Sequence, residues 1–355
     1  MDRAGDARAQ SLGRSKSQRS RFSEGGGVSE GTGNPKKPES LNPGVACVGM
    51  GVIGCGWAAY FASRGIDVRA WDPDPQAPGR LQRTLEIAWP AMEQLGLGQG
   101  GGPDRVRFVK SLDEALEGAA LIQESAPERL PLKQSLLAEL DRGASAEAII
   151  ASSTSGYRIS QLTENCHRHP ERIVVGHPFN PVYLLPLVEL VAGPGTDPSA
   201  MNRAEEMYIG AGKRVLRLER EVDGFIADRL QEAMWREALH MVANGEATVE
   251  QLDLSITAGP GLRWALMGPM LTFHLAGGEG GMAHMLDHFG PSLESPWTRL
   301  AAPELTPELR NAVVEGCEEA SQGLGVPELV RERDRGLVAI IQALERAGLG
   351  TVGPG

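Results

Sequence analysis

The sequence predicts an α/β fold, a doubly wound parallel sheet followed by an all-helical C-terminal domain. Three observations carry that reading. Short apolar runs alternate with helical stretches from Gly44 to Leu218, which is the pattern of βαβ units. The first run passes directly into a Gly-x-Gly-x-x-Gly turn that opens a helix. After Asp223 the strand signals cease and helix follows helix, so a boundary is expected near residue 222.

Each element has its own signal. Val45–Val48 reads as the first strand, and the helix behind the glycine turn runs to about Ser63, where Gly65 stops it. Val68–Trp71 is the second strand, ending at Asp72; a longer helix over Gly79–Leu95 and a strand over Val106–Val109 follow. Ser111 and Glu114 have the spacing of a capping box. Leu121–Gln123 reads as a strand, Leu132–Leu140 as a helix and Ala148–Ala151 as a strand; Ile173–Gly176 and Leu187–Val191 continue the sheet. Pro198 behind Asp197 starts a helix that stops near Gly212, and Arg214–Leu218 is the last strand. The helical part starts at Phe225, is interrupted at Asn244–Gly245, and resumes behind a second capping box, Thr248 with Gln251.

At 355 residues, with roughly 100–200 per domain, two domains are expected: 44–222 binding a nucleotide and 223–345 helical. Residues 1–43 hold seven Gly and seven Ser with one aromatic, too little apolar surface to offset ordering entropy, so a disordered tail is expected there. Its basic run Arg14–Arg21 also admits a transit peptide or an anion-binding arm. A short flexible tail is expected at 346–355. The charge balance, 35 Lys and Arg against 46 Asp and Glu, argues against nucleic acid as the main partner. No stretch approaches the roughly 20 apolar residues of a membrane span, and no secretory h-region is found. Four cysteines without metal spacing fit a reducing, cytoplasmic setting. His284 and His288 lie four apart beside Asp287, but no further ligand pattern accompanies them, so no metal is expected.

The turn Gly49-Met50-Gly51-Val52-Ile53-Gly54 is the candidate cofactor site. Gly49 suits a tight turn, Gly51 lets a pyrophosphate approach the backbone, and Gly54 allows close helix–strand packing. Asp72, at the end of the second strand, suits the adenosine ribose hydroxyls and repels a 2′-phosphate, which favours NAD over NADP. A FAD site or a glycine turn that binds nothing would share the motif, giving a Rossmann-type domain in either case.

His177 ends a predicted strand, and Glu189 stands inside the apolar strand that follows. A lone histidine is commonly a satisfied core residue, and a carboxylate in an apolar strand is costly unless bonded. Pairing would account for both, and a carboxylate-held histidine is a way to build a general base.

The glycine turn, Asp72, Ser152-Ser153-Thr154-Ser155, His177-Pro178-Phe179-Asn180-Pro181, Glu189 and Gly224–Leu230 together resemble the L-3-hydroxyacyl-CoA dehydrogenase superfamily, over residues 44 to about 340. The resemblance implies an NAD-dependent dehydrogenase that forms a homodimer through its helical domain. It implies His177 as general base, Glu189 as its partner and Ser155 on the substrate hydroxyl. By the same resemblance Glu128 and Lys133 hold the nicotinamide-ribose side of NAD, and Asn180 belongs to that site. One position departs: Asp228 stands where the superfamily usually has Asn.

Within the superfamily the chain is most similar to the L-carnitine dehydrogenases, including Asp228 and Leu262-Arg263-Trp264-Ala265-Leu266-Met267-Gly268. The gulonate dehydrogenases (the lambda-crystallin group) carry Asn at 228 and Tyr at 264, and the acyl-CoA enzymes lack the arginine at 263. L-carnitine is therefore the expected small-molecule substrate. Arg263 is a candidate clamp for its carboxylate, and Asp228 and Trp264, with Trp235, Phe273 and Tyr183, are candidates for its quaternary ammonium. L-gulonate and a hydroxyacyl-CoA are the alternative substrates. A non-catalytic, crystallin-like NAD-binding role is the reading of another class; the presence of Ser155, His177 and Glu189 together speaks for chemistry.

Overall fold

In the computed structural model, residues 44–294, 298–299 and 301–349 are described. The tail expected at 1–43, and residues 350–355 of the one expected at the C-terminus, lie outside them.

Eight strands form one sheet in the order β3-β2-β1-β4-β5-β6-β7-β8. They are β1 (Val45–Val48), β2 (Val68–Trp71), β3 (Val106–Phe108), β4 (Leu121–Glu124), β5 (Ile149–Ser152), β6 (Ile173–Pro178), β7 (Leu187–Val191) and β8 (Arg214–Leu218). The intervening helices are α1 (Val52–Ser63), α2 (Ala77–Gln94), α3 (Leu112–Leu116), α4 (Leu130–Gly143), α5 (Ile159–Leu162) and α6 (Pro198–Gly210). Along β1, Val45 and Cys47 join one buried cluster with α1, α2 and α6, while Ala46 and Val48 join another with α3, α4 and α5. Both faces of the sheet are thus covered, which is why its strands read as unbroken apolar runs rather than alternating ones.

The sheet is parallel with one reversal. β7 runs antiparallel to β6, and β8 follows β7 in parallel. The link Phe179–Pro186 is too short for the crossover of a dozen or more residues that a parallel pair needs, so the chain doubles back. This reversal puts His177 opposite Glu189 in register.

Capping follows the sequence with one difference. Thr248 and Gln251 form the reciprocal box, whereas Glu114 returns to the Lys110 N–H (3.2 Å) and only Ser111 completes its half (3.2 Å).

No strand follows β8 among the described residues. The helices α7 (Ala227–Ala243), α8 (Val249–Thr257), α9 (Pro260–Trp264), α10 (Pro269–Ala276), α11 (Gly281–Phe289), α12 (Pro307–Ala320) and α13 (Val326–Arg346) make up the rest. The last helix is capped by Gly348, and the Leu349 N–H bonds the Leu344 carbonyl (2.8 Å). Its Val338 joins the core on the α1/α2 side of the sheet, so the C-terminus folds back onto the first domain. No helix among the described residues is long and apolar enough to cross a membrane. His284 and His288 stack at 5.6 Å on α11, and among the described residues no group of three or more His, Cys, Asp or Glu could hold a metal ion.

Candidate active site

The glycine turn lies at the C-terminal end of β1, where a doubly wound sheet binds its ligands. Gly49 has φ 91°, and a Cβ there would meet the backbone of Ser125 and Ala126 at 2.7–2.8 Å, so only glycine closes this turn against the end of β4. A Cβ at Gly54 would fall 1.8 Å from the Gly49 carbonyl oxygen, while one at Gly51 would meet nothing within 4 Å. The turn is closed on the protein side and open on the other. Met50 points its side chain into the core and offers only backbone, whereas Val52 is exposed and Ile53 half-buried at the start of α1, whose first N–H groups lack helical acceptors.

A cavity of about 550 Å³ adjoins this turn, lined by Gly49, Gly51, Trp71, Asp72, Ala126 and Leu132 among others. Asp72 is fixed on its wall by the N–H groups of Met50 (2.6 Å) and Asp74 (2.8 Å) and keeps further lone pairs for ribose hydroxyls. Arg80, from α2, also lines the cavity; its Nε donates to the Met50 carbonyl (3.1 Å) and its guanidinium pairs with Asp74, 3.8 Å from Asp72. The sequence holds no arginine immediately after Asp72, and Arg80 was not legible because the first turn of α2 carries it back. With its charge answered by two carboxylates, it does not offer a free 2′-phosphate site. An open glycine turn, a helix N-terminus and a fixed carboxylate fit the adenosine diphosphate half of NAD.

Beyond β4 and β5 lies a second polar cluster. Glu124, fully buried, accepts from Lys133 Nζ (3.0 and 3.2 Å), the Ala126 N–H (2.6 Å) and the Ser152 hydroxyl. Lys133 is itself buried and lies 3.4 Å from Glu128, so its ammonium sits beneath Glu128 rather than in the open. Glu128, by contrast, is partly exposed; it accepts from the Thr154 hydroxyl and from the Ser155 N–H (3.0 Å), and this fixes the loop that presents the exposed Ser155. Glu124 does not stand out in the sequence as Glu189 does, although its signal is present: a carboxylate ending an apolar strand needs a partner.

His177 and Glu189 meet. Nδ1 of His177 lies 3.1 Å from Oε2 of Glu189, both side chains are buried, and Nε2 has no partner among the described residues. The ring packs edge-on against Phe179 (4.9 Å) and beside Phe225 (5.5 Å). The other Glu189 oxygen accepts the N–H groups of Ile226 (2.9 Å) and Ala227 (2.8 Å) at the start of α7. Those donors converge because Gly224 and Phe225 both take positive φ, 64° and 51°; for Phe225 that costs roughly 1–2 kcal/mol. Burial pushes the Glu189 carboxyl up, but the His177 bond and the two backbone donors outweigh it and hold it below its ordinary value.

Asp228, in the first turn of α7, is half-buried beside this pair. Burial raises its carboxyl above the ordinary value; His177 opposes the shift, and Glu189 and Glu128 add to it. Two carboxylates, Glu189 and Asp228, therefore face His177. Asn180 is exposed one turn along the link from His177. Arg263 and Trp264 are not brought to this cluster by any contact in the chain: both are exposed at the end of α9, which packs on α8 and α10, and the Arg263 guanidinium has no hydrogen bond or ion pair among the described residues. Trp235 and Phe273 are likewise exposed, whereas Tyr183 is buried and bonded to Asp334 (2.6 Å).

The family models for the 3-hydroxyacyl-CoA dehydrogenase NAD-binding domain and C-terminal domain match residues 44–222 and 224–314. The chain is 60% identical to an L-carnitine dehydrogenase of Streptomyces griseus over 90% of this chain and 95% of that one. It is 53% identical to an L-carnitine dehydrogenase of Bacillus cereus over 85% of this chain and 92% of that one. Among solved structures it resembles FHMPC 5-dehydrogenase, an NAD+-dependent dismutase, at 28% identity and a TM-score of 0.72, covering 85% of this chain and 98% of that one. The chain belongs to the 3-hydroxyacyl-CoA dehydrogenase family and is an NAD-dependent dehydrogenase acting on a CH–OH group.

Proposed function

We propose that the chain oxidises the C3 hydroxyl of L-carnitine to 3-dehydrocarnitine, with His177 as general base and Glu189 as its partner. The observation that carries the base assignment is the His177 Nδ1–Glu189 contact at 3.1 Å with Nε2 left uncommitted. Bound NAD supplies the two-electron acceptor. His177, neutral at the start, takes the hydroxyl proton on Nε2; Glu189 steadies the imidazolium through Nδ1; Ser155 holds the substrate oxygen. Glu128, braced by Lys133, orients the nicotinamide-ribose side, and Asn180 borders it. Residues 44–222 carry the cofactor and 223–345 the substrate and subunit contacts.

Two things support L-carnitine over its rivals. The curated relatives at 60% and 53% identity bear that substrate in their name. The anionic surroundings of His177, with Asp228 among them, complement a quaternary ammonium, which cannot donate a hydrogen bond and is held by negative charge and aromatic faces. The test is NADH formation with L-carnitine against D-carnitine, L-gulonate and 3-hydroxybutyryl-CoA. Selective turnover of L-carnitine is expected; turnover of another compound alone would leave the dehydrogenase and discard the cation site.

Arg263 remains our candidate for the substrate carboxylate. Arg263→Met should raise KM for L-carnitine roughly ten- to hundredfold, the loss of a charged hydrogen bond, with KM for NAD unmoved. An unchanged KM removes Arg263 from the site.

We also infer a homodimer. No residue of α7, α8 or α9 is buried, and Leu230, Trp235 and Leu262 are 57%, 67% and 68% exposed. Helices with that much uncovered apolar surface need a second layer, and a second copy supplies it. Light scattering should give twice the chain mass, and Trp235→Glu should shift it toward the monomer.

A further inference from the structure

The link Phe179–Pro186 joins the strand of His177 to the strand of Glu189, and groups outside the reaction grip it from two sides. On one side is Lys213, placed by the left-handed Gly212 (φ 89°) that ends α6. Its buried Nζ donates to the carbonyls of Val182 (2.5 Å) and Leu185 (2.9 Å) and lies 3.8 Å from the centre of the Tyr60 ring. On the other side Tyr183, in the middle of the link, donates its hydroxyl to Asp334 Oδ2 at 2.6 Å. Arg333 lies 3.2 Å from the same hydroxyl and pairs with Asp334 (2.8 Å).

Asp334 is 3% exposed, and a carboxylate so buried is tolerated only because Arg333 and Tyr183 satisfy it. Burial first, then Asp334, pushes the Tyr183 hydroxyl up, so it remains a donor. Asp334 belongs to α13, which lies beyond the residues 224–314 matched by the C-terminal family model and is anchored by Val338, Ile341 and Leu344.

We propose that Asp334, acting through Tyr183, is a positioning residue: the C-terminal helix sets the conformation of the link and thereby the spacing of His177 and Glu189. Neither side chain touches a reacting atom. The effect is one of placement, where a displacement of about 1 Å costs on the order of a hundredfold in rate. The inference rests on His177 being the base.

The test uses the full chain with L-carnitine and NAD, comparing Tyr183→Phe, Asp334→Leu, Asp334→Asn and His177→Asn for kcat, KM and NADH affinity by fluorescence. Tyr183→Phe and Asp334→Leu should lose about ten- to hundredfold in kcat with NADH affinity unchanged, because the adenosine cavity is lined by other elements. Asp334→Asn keeps one amide oxygen for the tyrosine hydroxyl at the cost of turning its NH2 toward Arg333, and should keep more of the rate than Asp334→Leu. Should Asp334→Leu fail to fold, Tyr183→Phe decides alone, since it keeps the buried ring and removes one oxygen. Wild-type kcat in Tyr183→Phe, alongside an inactive His177→Asn, overturns the inference and leaves the base assignment standing. Loss of NADH affinity together with kcat, or no rescue by asparagine, means a general structural role and overturns it as well. Undiminished activity in His177→Asn overturns the base assignment and this inference with it.

Discussion

Replacement of His177 by asparagine should lower kcat for L-carnitine oxidation by about 10²–10⁴-fold without weakening NADH binding. Asparagine cannot accept a proton at neutral pH, while the cavity beside the glycine turn, our candidate for the adenosine half of the cofactor, is lined by residues of other elements. Glu189→Gln should move kcat in the same direction by less, because an amide oxygen still accepts the Ile226 and Ala227 N–H groups but no longer carries charge for the imidazolium. It should also change stability against pH. The Glu189 carboxyl is held below its ordinary value, so its contribution is complete above the ordinary carboxylate range and is lost as pH falls through its folded value. Melting curves at stepped acid pH should show a shallower decline in the glutamine variant.

Lys133→Met should cost about 3–5 kcal/mol of stability, the penalty for leaving a buried charge without its partner. Lys133 and Glu124 are 1% and 0% exposed, 3.0 Å apart, and no solvent reaches the carboxylate to replace the ammonium. The loss also frees Glu128, from which the ammonium is 3.4 Å away, and with it the loop bearing Ser155. Adding Glu124→Gln to the same chain should restore much of the melting temperature, because the amide oxygen can still accept from the Ala126 N–H while its NH2 donates to the Ser152 hydroxyl oxygen, and no uncompensated charge is left. A single variant as stable as the wild type would mean that the pair contributes placement and not stability.

Local chemistry made most of this fold readable. The strands β1, β2, β7 and β8 lie over the residues expected, because buried parallel strands are short apolar runs bounded by turn formers. β4, β5 and β6 each run further, to Glu124, Ser152 and Pro178, and the added residues are polar or carry chemistry. Apolar patterning cannot see a strand end that is buried through hydrogen bonds. For that reason the pairing of Glu124 with Ser152 is not legible, while Glu189, embedded within an apolar run, is. Partnerships across long separations are beyond the reach of local patterning: Lys213 with the link and Tyr183 with Asp334. Arg263 and Trp264 illustrate the converse. Resemblance marks them out, yet within a single chain their helix presents them to solvent.

The single reversed strand bears on how this protein can change over generations. In an antiparallel pair, successive side chains point to opposite faces, so a one-residue slip of β7 along β6 would turn Glu189 to the far side of the sheet from His177, and a change of length between Phe179 and Pro186 must be absorbed within the link if that register is to hold. Elsewhere a loop can lengthen at little cost. The segment Gly96–Arg105 between α2 and β3 contacts neither His177 nor Glu189 through any hydrogen bond, so it should tolerate length variation across descendants of this chain. The link, gripped by Lys213 and Tyr183 between the strands of His177 and Glu189, should vary less in length.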